Sequence, residues 1–149
     1  MPFELLKNWL QEEKSKGAPN PQQAVLCTAT LDSIPHSRVV AIKEITEEGL
    51  LFFTQKGTRK VEEILKNPVV SLTFWLELNQ REIIIEGTAE LLSNLDNQRY
   101  WEAYPREAQL RFSAYAPTST QPVASKETLE QLKASLENTY QNKNIPTKM

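Results

Sequence analysis

The chain has 149 residues, of which 40% are hydrophobic and 24% charged, and its formal net charge is -2. These values are typical of one globular domain and disfavour a broad nucleic-acid surface. One cysteine and one histidine exclude an intrachain disulfide and a metal site built on several thiolates or imidazoles. No segment has the apolar length of a membrane span or the apolar core of a signal peptide, so we expect a cytoplasmic protein.

The first half of the sequence predicts a helix followed by closely spaced strands. In residues 2–15 apolar side chains recur at spacings of three and four, which is typical of an amphipathic helix. Apolar, β-branched segments predict strands at 23–31, 36–45 and 50–54, and the short turns between them favour antiparallel pairing. A short amphipathic helix is expected at 58–66.

The single cysteine and the single histidine both lie in this strand region. Cys27 stands in an apolar run, and we expect it to be a small buried core residue. His36 follows Pro35 at a predicted turn, where an exposed or supporting role is expected rather than a catalytic one.

The second half predicts two further strands and three helices. The strands are expected at 68–76 and 81–92, and the helices at 93–103, 105–114 and 125–140. Residues 142–149 are expected to form a frayed tail. Together the elements predict an α+β fold, in which an antiparallel sheet, open or curled into a barrel, has helices on its flanks.

The most informative segment joins the third strand to the short helix and runs from Phe52 to Lys60. Arg59 and Lys60 occupy the first turn of the predicted helix, and Lys56 stands just before it. A helix start carries unpaired N–H groups and a partial positive charge, which disfavours cations there. A bound anion would account for this arrangement. A solvated basic turn is the alternative.

Two further segments place charges within apolar strands. Arg38 and Lys43 lie on the second predicted strand, where period-two alternation directs them to opposite faces unless the strand is bulged. Arg38 would reach an anion and Lys43 would lie near a ligand; the alternative is that each cation sits at a strand end. Glu82 opens the last predicted strand, where the residues alone indicate an edge charge that keeps the strand soluble.

These segments, in this order, resemble the pyridoxamine 5'-phosphate oxidase family. The family pattern is an apolar strand with Ala-Thr, then Arg-x-Val-x-x-Lys, then Phe-Tyr-Thr-x-x-x-Ser-Arg-Lys, then Asn-Pro. The matching residues here are Ala29-Thr30, Arg38-Val39-Val40-Ala41-Ile42-Lys43, Phe52-Phe53-Thr54 with Thr58-Arg59-Lys60, and Asn67-Pro68. A later segment, Tyr100 to Glu107, also resembles the family, and the resemblance extends from about Phe3 to Pro146.

The resemblance implies one split β-barrel domain over residues 1–149 that binds flavin mononucleotide (FMN), in a homodimer with FMN at the interface. Arg38, Arg59 and Lys60 would hold the phosphate of FMN. The full set implied for the cofactor is Arg38, Val39, Val40, Ala41, Ile42, Lys43, Phe53, Thr54, Thr58, Arg59, Lys60 and Glu82. Lys43 and Tyr100 match positions that contact the substrate phosphate, and neither a catalytic side chain nor a metal ligand is implied.

Several positions depart from the family pattern. Glu82 replaces a flavin-contacting Gln, Tyr104 and Ala108 replace an Arg and a Ser for the substrate phosphate, and Ser119-Thr120 replaces a Gln-Ser pair from the partner subunit. Arg106, in the segment from Tyr100 to Glu107 that resembles the family, still favours a substrate that carries a phosphate. Family members also continue past the position of Pro146 with further strands and a Trp-Gly-Gly-x-Arg segment, so we expect the barrel here to close differently.

These features predict an FMN-dependent oxidoreductase in which a small substrate passes a hydride to N5 of the flavin. The departures argue against oxidation of pyridoxamine or pyridoxine 5'-phosphate at ordinary rates. Two alternatives stay open, namely a non-catalytic flavin carrier or sensor, and a protein whose site has lost the flavin altogether.

Overall fold

The structure, a computed structural model, describes residues 2–115 and 121–147. The chain divides into two compact units, one made of Met1–Phe53 with Glu63–Glu90 and the other of Thr54–Glu62 with Leu91–Met149. The described residues form the helices α1 (Pro2–Ser15), α2 (Arg59–Lys66), α3 (Asn94–Ala103), α4 (Arg106–Tyr115) and α5 (Lys126–Thr139). The strands are β1 (Gln23–Ala29), β2 (Pro35–Ile45), β3 (Leu50–Phe52), β4 (Val69–Leu76) and β5 (Arg81–Thr88).

The first unit contains all five strands in one antiparallel sheet with the order β3-β2-β1-β4-β5. The sheet is curled into a half-barrel, so the predicted α+β class with a barrel-like sheet is confirmed. Every element was predicted from the sequence, and the differences lie at the ends. β5 stops at Thr88 rather than residue 92, because the ladder to β4 ends at Pro68, which accepts a hydrogen bond from Ala89 but has no N–H to return.

One face of the sheet is covered and forms the core of the first unit. Its strands contribute Leu26, Phe74 and Leu76, which are almost completely buried. Leu6 of α1 and Ile64 of α2 pack against these strands in the same cluster. Burial of these apolar side chains is the main source of stability for the sheet.

The opposite surface, here called the open face, exposes apolar side chains. Val39, Val25, Thr73 and Ile84 lie in one row across four strands, because each is the register partner of the next. Val39 and Ile84 are 61% and 57% exposed. Exposed apolar side chains on neighbouring strands are a feature of surfaces that contact other proteins.

Cys27 also lies on the open face. The prediction that it is a buried core residue is wrong, because its side chain is only partly covered and lies 3.4 Å from the hydroxyl of Ser37. The apolar run around Cys27 contains both faces of a strand, and Cys27 falls on the outer one.

The second unit contains α3, α4, α5 and a C-terminal segment that is held in place. The buried Trp101 donates a hydrogen bond from Nε1 to the carbonyl of Ile145 at 2.8 Å. The Arg106 guanidinium donates to the carbonyls of Tyr140 and Lys143. The prediction of a frayed tail is therefore wrong for residues 142–147, while 148–149 lie outside the described residues. No helix among the described residues has both the length and the apolar character needed to cross a membrane.

Candidate functional site

In the first unit, β2 presents the predicted site residues on alternating faces. Arg38 lies on the covered face with the buried Val40 and Ile42, while Val39 and Ala41 are exposed on the open face. Lys43 is exposed beside a register shift between Ile42 and Glu44. The prediction that Arg38 and Lys43 point to opposite sides held only for a strand without a bulge, and the register shift lies beside Lys43.

Arg38 is fixed by three groups of the first unit. Its Nη1 donates to the hydroxyl of Thr28 at 2.6 Å and to the carbonyl of Leu26 at 3.3 Å. Its Nη2 lies 3.6 Å from Oε2 of Glu63. The Arg38 side chain is 20% exposed, and its guanidinium is therefore oriented by the protein itself.

Glu63 is the centre of a buried polar group, here called the Glu63 cluster, that also contains Thr28, His36 and Arg38. The Glu63 side chain is 8% exposed; it accepts a 2.5 Å hydrogen bond from Thr28 and lies 2.6 Å from Nδ1 of His36. The distance between His36 Nδ1 and Glu63 Oε1 is that of an ion pair, but the angle at Nδ1 is not that of a good hydrogen bond. His36 thus has the supporting position expected for it.

The surroundings of Glu63 favour its ionised form. Burial alone raises the pKa of the carboxyl, but the hydrogen bond from Thr28, the close contact with His36 and the charge of Arg38 together outweigh burial. The pKa of Glu63 is therefore below the ordinary value for a glutamate. A buried carboxylate of this kind requires such partners, because it would otherwise be costly to bury.

We expect the Glu63 cluster to make the protein sensitive to acid. A depressed carboxyl pKa contributes stability that is present above the pKa of the unfolded chain and is lost as the pH falls through the folded pKa. The difference in free energy of unfolding between the wild type and Glu63→Gln should therefore shrink below about pH 4.3, the ordinary glutamate value. Denaturant unfolding at pH 7, 5, 4 and 3 measures this, and a difference that does not vary with pH would contradict it.

The other predicted site residues of the first unit lie at opposite edges of the sheet. Phe53 directly follows β3, whose Phe52 pairs with Ile42 of β2, so Phe53 is next to the predicted flavin segment. Glu82 is exposed on the open face of β5, opposite Trp75. Since β1 and β4 lie between β2 and β5, Glu82 is roughly 14 Å from β2 across the sheet at the usual strand spacing.

In the second unit, the segment before α2 places several predicted residues together. Gly57 has a φ of +78°, which favours glycine in this turn. Thr58 is buried, donates from its hydroxyl to the carbonyl of Gln55, and accepts at its own carbonyl from the N–H groups of Val61 and Glu62. Arg59 and Lys60 are consequently the first two helical residues, as predicted.

Thr54, in the same segment, has an unsatisfied hydroxyl, as do Ser113 and Thr147 among the described residues. Its Oγ1 is buried and has no hydrogen-bond partner among the described residues. A buried hydroxyl without a partner costs free energy, and such atoms are rare in native structures. A ligand with polar atoms that binds at this segment would satisfy the hydroxyl, which fits the predicted role of Thr54 beside a flavin.

The substrate-side residues lie elsewhere in the second unit. Tyr100 is a partly buried residue of α3. Tyr104 packs edge-on against Trp101 with ring centroids 6.4 Å apart, and its burial raises the pKa of its hydroxyl. Arg106 is committed to the two backbone carbonyls near the C-terminus. Ser119-Thr120, the counterpart of the partner-subunit pair, lies outside the described residues.

Sequence reasoning missed the importance of Glu63, which the sequence analysis does not single out. The available signal was Arg38, since a cation within an apolar strand requires a partner. The sequence does not specify which of the nearby carboxylates supplies it.

The comparisons with known proteins establish the family. The model for pyridoxamine 5'-phosphate oxidase matches residues 10–140. A relative from Trichormus variabilis, named pyridoxine/pyridoxamine 5'-phosphate oxidase, is 32% identical over 145 residues, which are 97% of this chain and 67% of the relative. The chain belongs to the pyridoxamine 5'-phosphate oxidase family, and it spans about two thirds of the length of that relative.

Two solved structures share the fold. PhzG from Burkholderia lata, solved in complex with tetrahydrophenazine-1-carboxylic acid, has a TM-score of 0.81 and 26% identity over 98% of this chain and 70% of its own. A pyridoxamine 5'-phosphate oxidase-related, FMN binding protein from Nostoc punctiforme has a TM-score of 0.67 and 17% identity over 85% of this chain and 69% of its own. The predicted family and its split-barrel fold are confirmed.

Proposed function

We propose that this protein is an FMN-dependent oxidoreductase. The observation that carries the proposal is the segment that begins α2, where two cations occupy the first turn and the buried Thr54 hydroxyl has no partner. An anionic ligand with further hydrogen-bonding atoms accounts for both features. FMN is such a ligand, and membership of the family supports it.

In this proposal, the chain's own residues bind and orient the cofactor. Arg59 and Lys60 neutralise the phosphate, and Arg38 supplies a guanidinium that is already oriented. The backbone from Val39 to Ile42 lies along the flavin with Phe53 and Thr54, and Thr58 fixes the turn that presents the cations. When bound, FMN supplies the hydride acceptor at N5, so the protein needs no nucleophile of its own.

The substrate is proposed to be a small hydride donor other than pyridoxamine or pyridoxine 5'-phosphate. Lys43 and Tyr100 are the residues proposed to face it. Tyr104 counts against a substrate phosphate at the position where the family has an arginine, because it supplies no guanidinium and packs on Trp101. Arg106 donates to two backbone carbonyls in this structure.

Anaerobic reduction of the bound flavin tests the activity. Purified protein loaded with FMN is mixed with NADH, NADPH and the pyridoxal vitamers, and bleaching of the flavin absorbance is followed. An oxidoreductase bleaches with at least one donor and regains colour with oxygen. A flavin that binds tightly and is reduced by none of them would identify a carrier or sensor, and fast peroxide release from pyridoxamine 5'-phosphate would overturn the substrate proposal.

We further propose that two copies pair through the open face. Trp75, Val39 and Ile84 are each more than half exposed there, and burial of such residues favours association. Glu82 lies on the same face, so a second copy would cover it as well. The homodimer would then place FMN at the interface, beside the Val39 to Ile42 segment.

The variant Ile84→Lys is expected to produce a monomer, because the lysine removes an exposed apolar side chain from the middle of the open face and adds a charge that is costly to bury. Sedimentation velocity should give the mass of two chains for the wild type and of one chain for the variant. Leu31→Lys is the control, since Leu31 is 72% exposed in the turn after β1 and belongs to none of the strands. A wild type that sediments as one chain, or a dimeric Ile84→Lys, would contradict the proposal.

A further inference from the structure

We propose that Glu63 is a positioning residue that sets the orientation of Arg38 for the phosphate of FMN, acting largely through Thr28. This inference rests on the proposed binding of FMN by Arg38. It concerns a residue outside the set implied by the family resemblance. The four side chains involved, those of the Glu63 cluster, all belong to the first unit.

The first argument is the direction of the hydrogen bonds. The Thr28 hydroxyl carries one proton and donates it to Oε2 of Glu63 at 2.5 Å. Its oxygen therefore presents lone pairs to Arg38, whose Nη1 donates to it at 2.6 Å. If Glu63 could not accept, the Thr28 proton would be able to turn toward the guanidinium, where it would repel the N–H donors.

The second argument is rigidity. Thr28 is 2% and Glu63 7% exposed, so the acceptors that hold Arg38 are themselves locked by packing. His36 contacts the other oxygen of Glu63 and so limits rotation of the carboxylate. An arginine held in place before binding loses less side-chain entropy when it grips an anion.

An opposing effect has to be weighed, because Glu63 is also an anion near Arg38. Its Oε2 lies 3.6 Å from Nη2, a longer contact than the two hydrogen bonds of Nη1. The shorter bonds decide the orientation of the guanidinium, and the longer contact contributes less. If competition dominated instead, removal of the Glu63 charge would tighten FMN binding, which is the opposite sign.

The test uses the phosphate preference, defined as the Kd of riboflavin divided by the Kd of FMN, both from flavin fluorescence quenching. Glu63→Met removes the acceptor and keeps the length of the side chain. Glu63→Gln removes the charge but retains an oxygen that can accept from Thr28. Glu62→Met is the matched control, because Glu62 is the exposed neighbour on the same helix.

We expect Glu63→Met to lower the phosphate preference about tenfold, Glu63→Gln by less than about threefold, and Glu62→Met not at all. In an Arg38→Met background, Glu63→Met should have no further effect, because the role passes through Arg38. Thr28→Val should lower the phosphate preference as much as Glu63→Met does. If circular dichroism shows that Glu63→Met does not fold, Thr28→Val is used in its place.

An unchanged or increased preference in a folded Glu63→Met, or an equal further loss in the Arg38→Met background, would overturn the positioning role. Equal losses in Glu63→Met and Glu63→Gln would overturn the path through Thr28. A wild type that binds riboflavin as tightly as FMN would instead overturn the proposed function, and this inference would fall with it.

Discussion

Arg59→Ala should weaken FMN binding by roughly 10- to 100-fold, which is the usual worth of hydrogen bonds to a charged group. Arg59 is exposed at the start of α2, so its replacement should not disturb folding. Riboflavin, which lacks the phosphate, should bind the variant almost as it binds the wild type. Fluorescence titration of both flavins therefore separates a loss of phosphate contact from general damage to the site.

Lys66→Ala is the matched control, since Lys66 is an exposed cation at the other end of the same helix. The affinity of Lys66→Ala for FMN should differ from that of the wild type by less than about twofold at physiological ionic strength. Two results would remove the phosphate interpretation: an unchanged FMN affinity in Arg59→Ala, or an equal loss in both variants.

Glu13→Ala should lower the free energy of unfolding by about 3 kcal/mol, because several buried hydrogen bonds are lost together. The Glu13 carboxylate is 2% exposed and accepts from the backbone N–H groups of Leu78 and Asn79 and from the side chain of Asn79. It thereby ties the end of α1 to the turn between β4 and β5. The midpoint of thermal unfolding should fall by roughly 10 °C.

The adjacent Glu12 provides the comparison. Glu12 is exposed and pairs with Arg81 at 2.6 Å, a surface ion pair that contributes at most about 1 kcal/mol. Glu12→Ala should therefore shift the unfolding midpoint by only a few degrees. If Glu12→Ala and Glu13→Ala have equal effects in calorimetry, the buried carboxylate does not hold the turn as described.

Local signals in the sequence predicted most of the fold. Ser93 begins the helix predicted at 93–103, and its hydroxyl accepts from the N–H of Asp96, as an N-cap of α3 should. The stop of α2 before Asn67-Pro68 and the turn at Gly57 are equally local. Each depends on residues within a few positions, which sequence alone makes visible.

The contacts that were missed connect distant parts of the chain. Trp101 meets Ile145 across 44 residues, and Thr28 meets Glu63 across 35. Neither pairing has a periodic or spacing signal. The order of the strands is also a long-range feature without a local signal, because β1 pairs with both β2 and β4. This order places β1 and β4 between Glu82 and β2. That residues 1–149 form a single domain stays a prediction.

The phosphate contact of the cofactor is the centre of the account, and the affinities of the wild-type protein for FMN and riboflavin test it most directly. Both are measured by fluorescence quenching at the same ionic strength. Since Arg38, Arg59 and Lys60 are proposed to contact only the phosphate end, FMN should bind at least about 100-fold more tightly than riboflavin. Equal dissociation constants, or no binding of either flavin, would contradict the account.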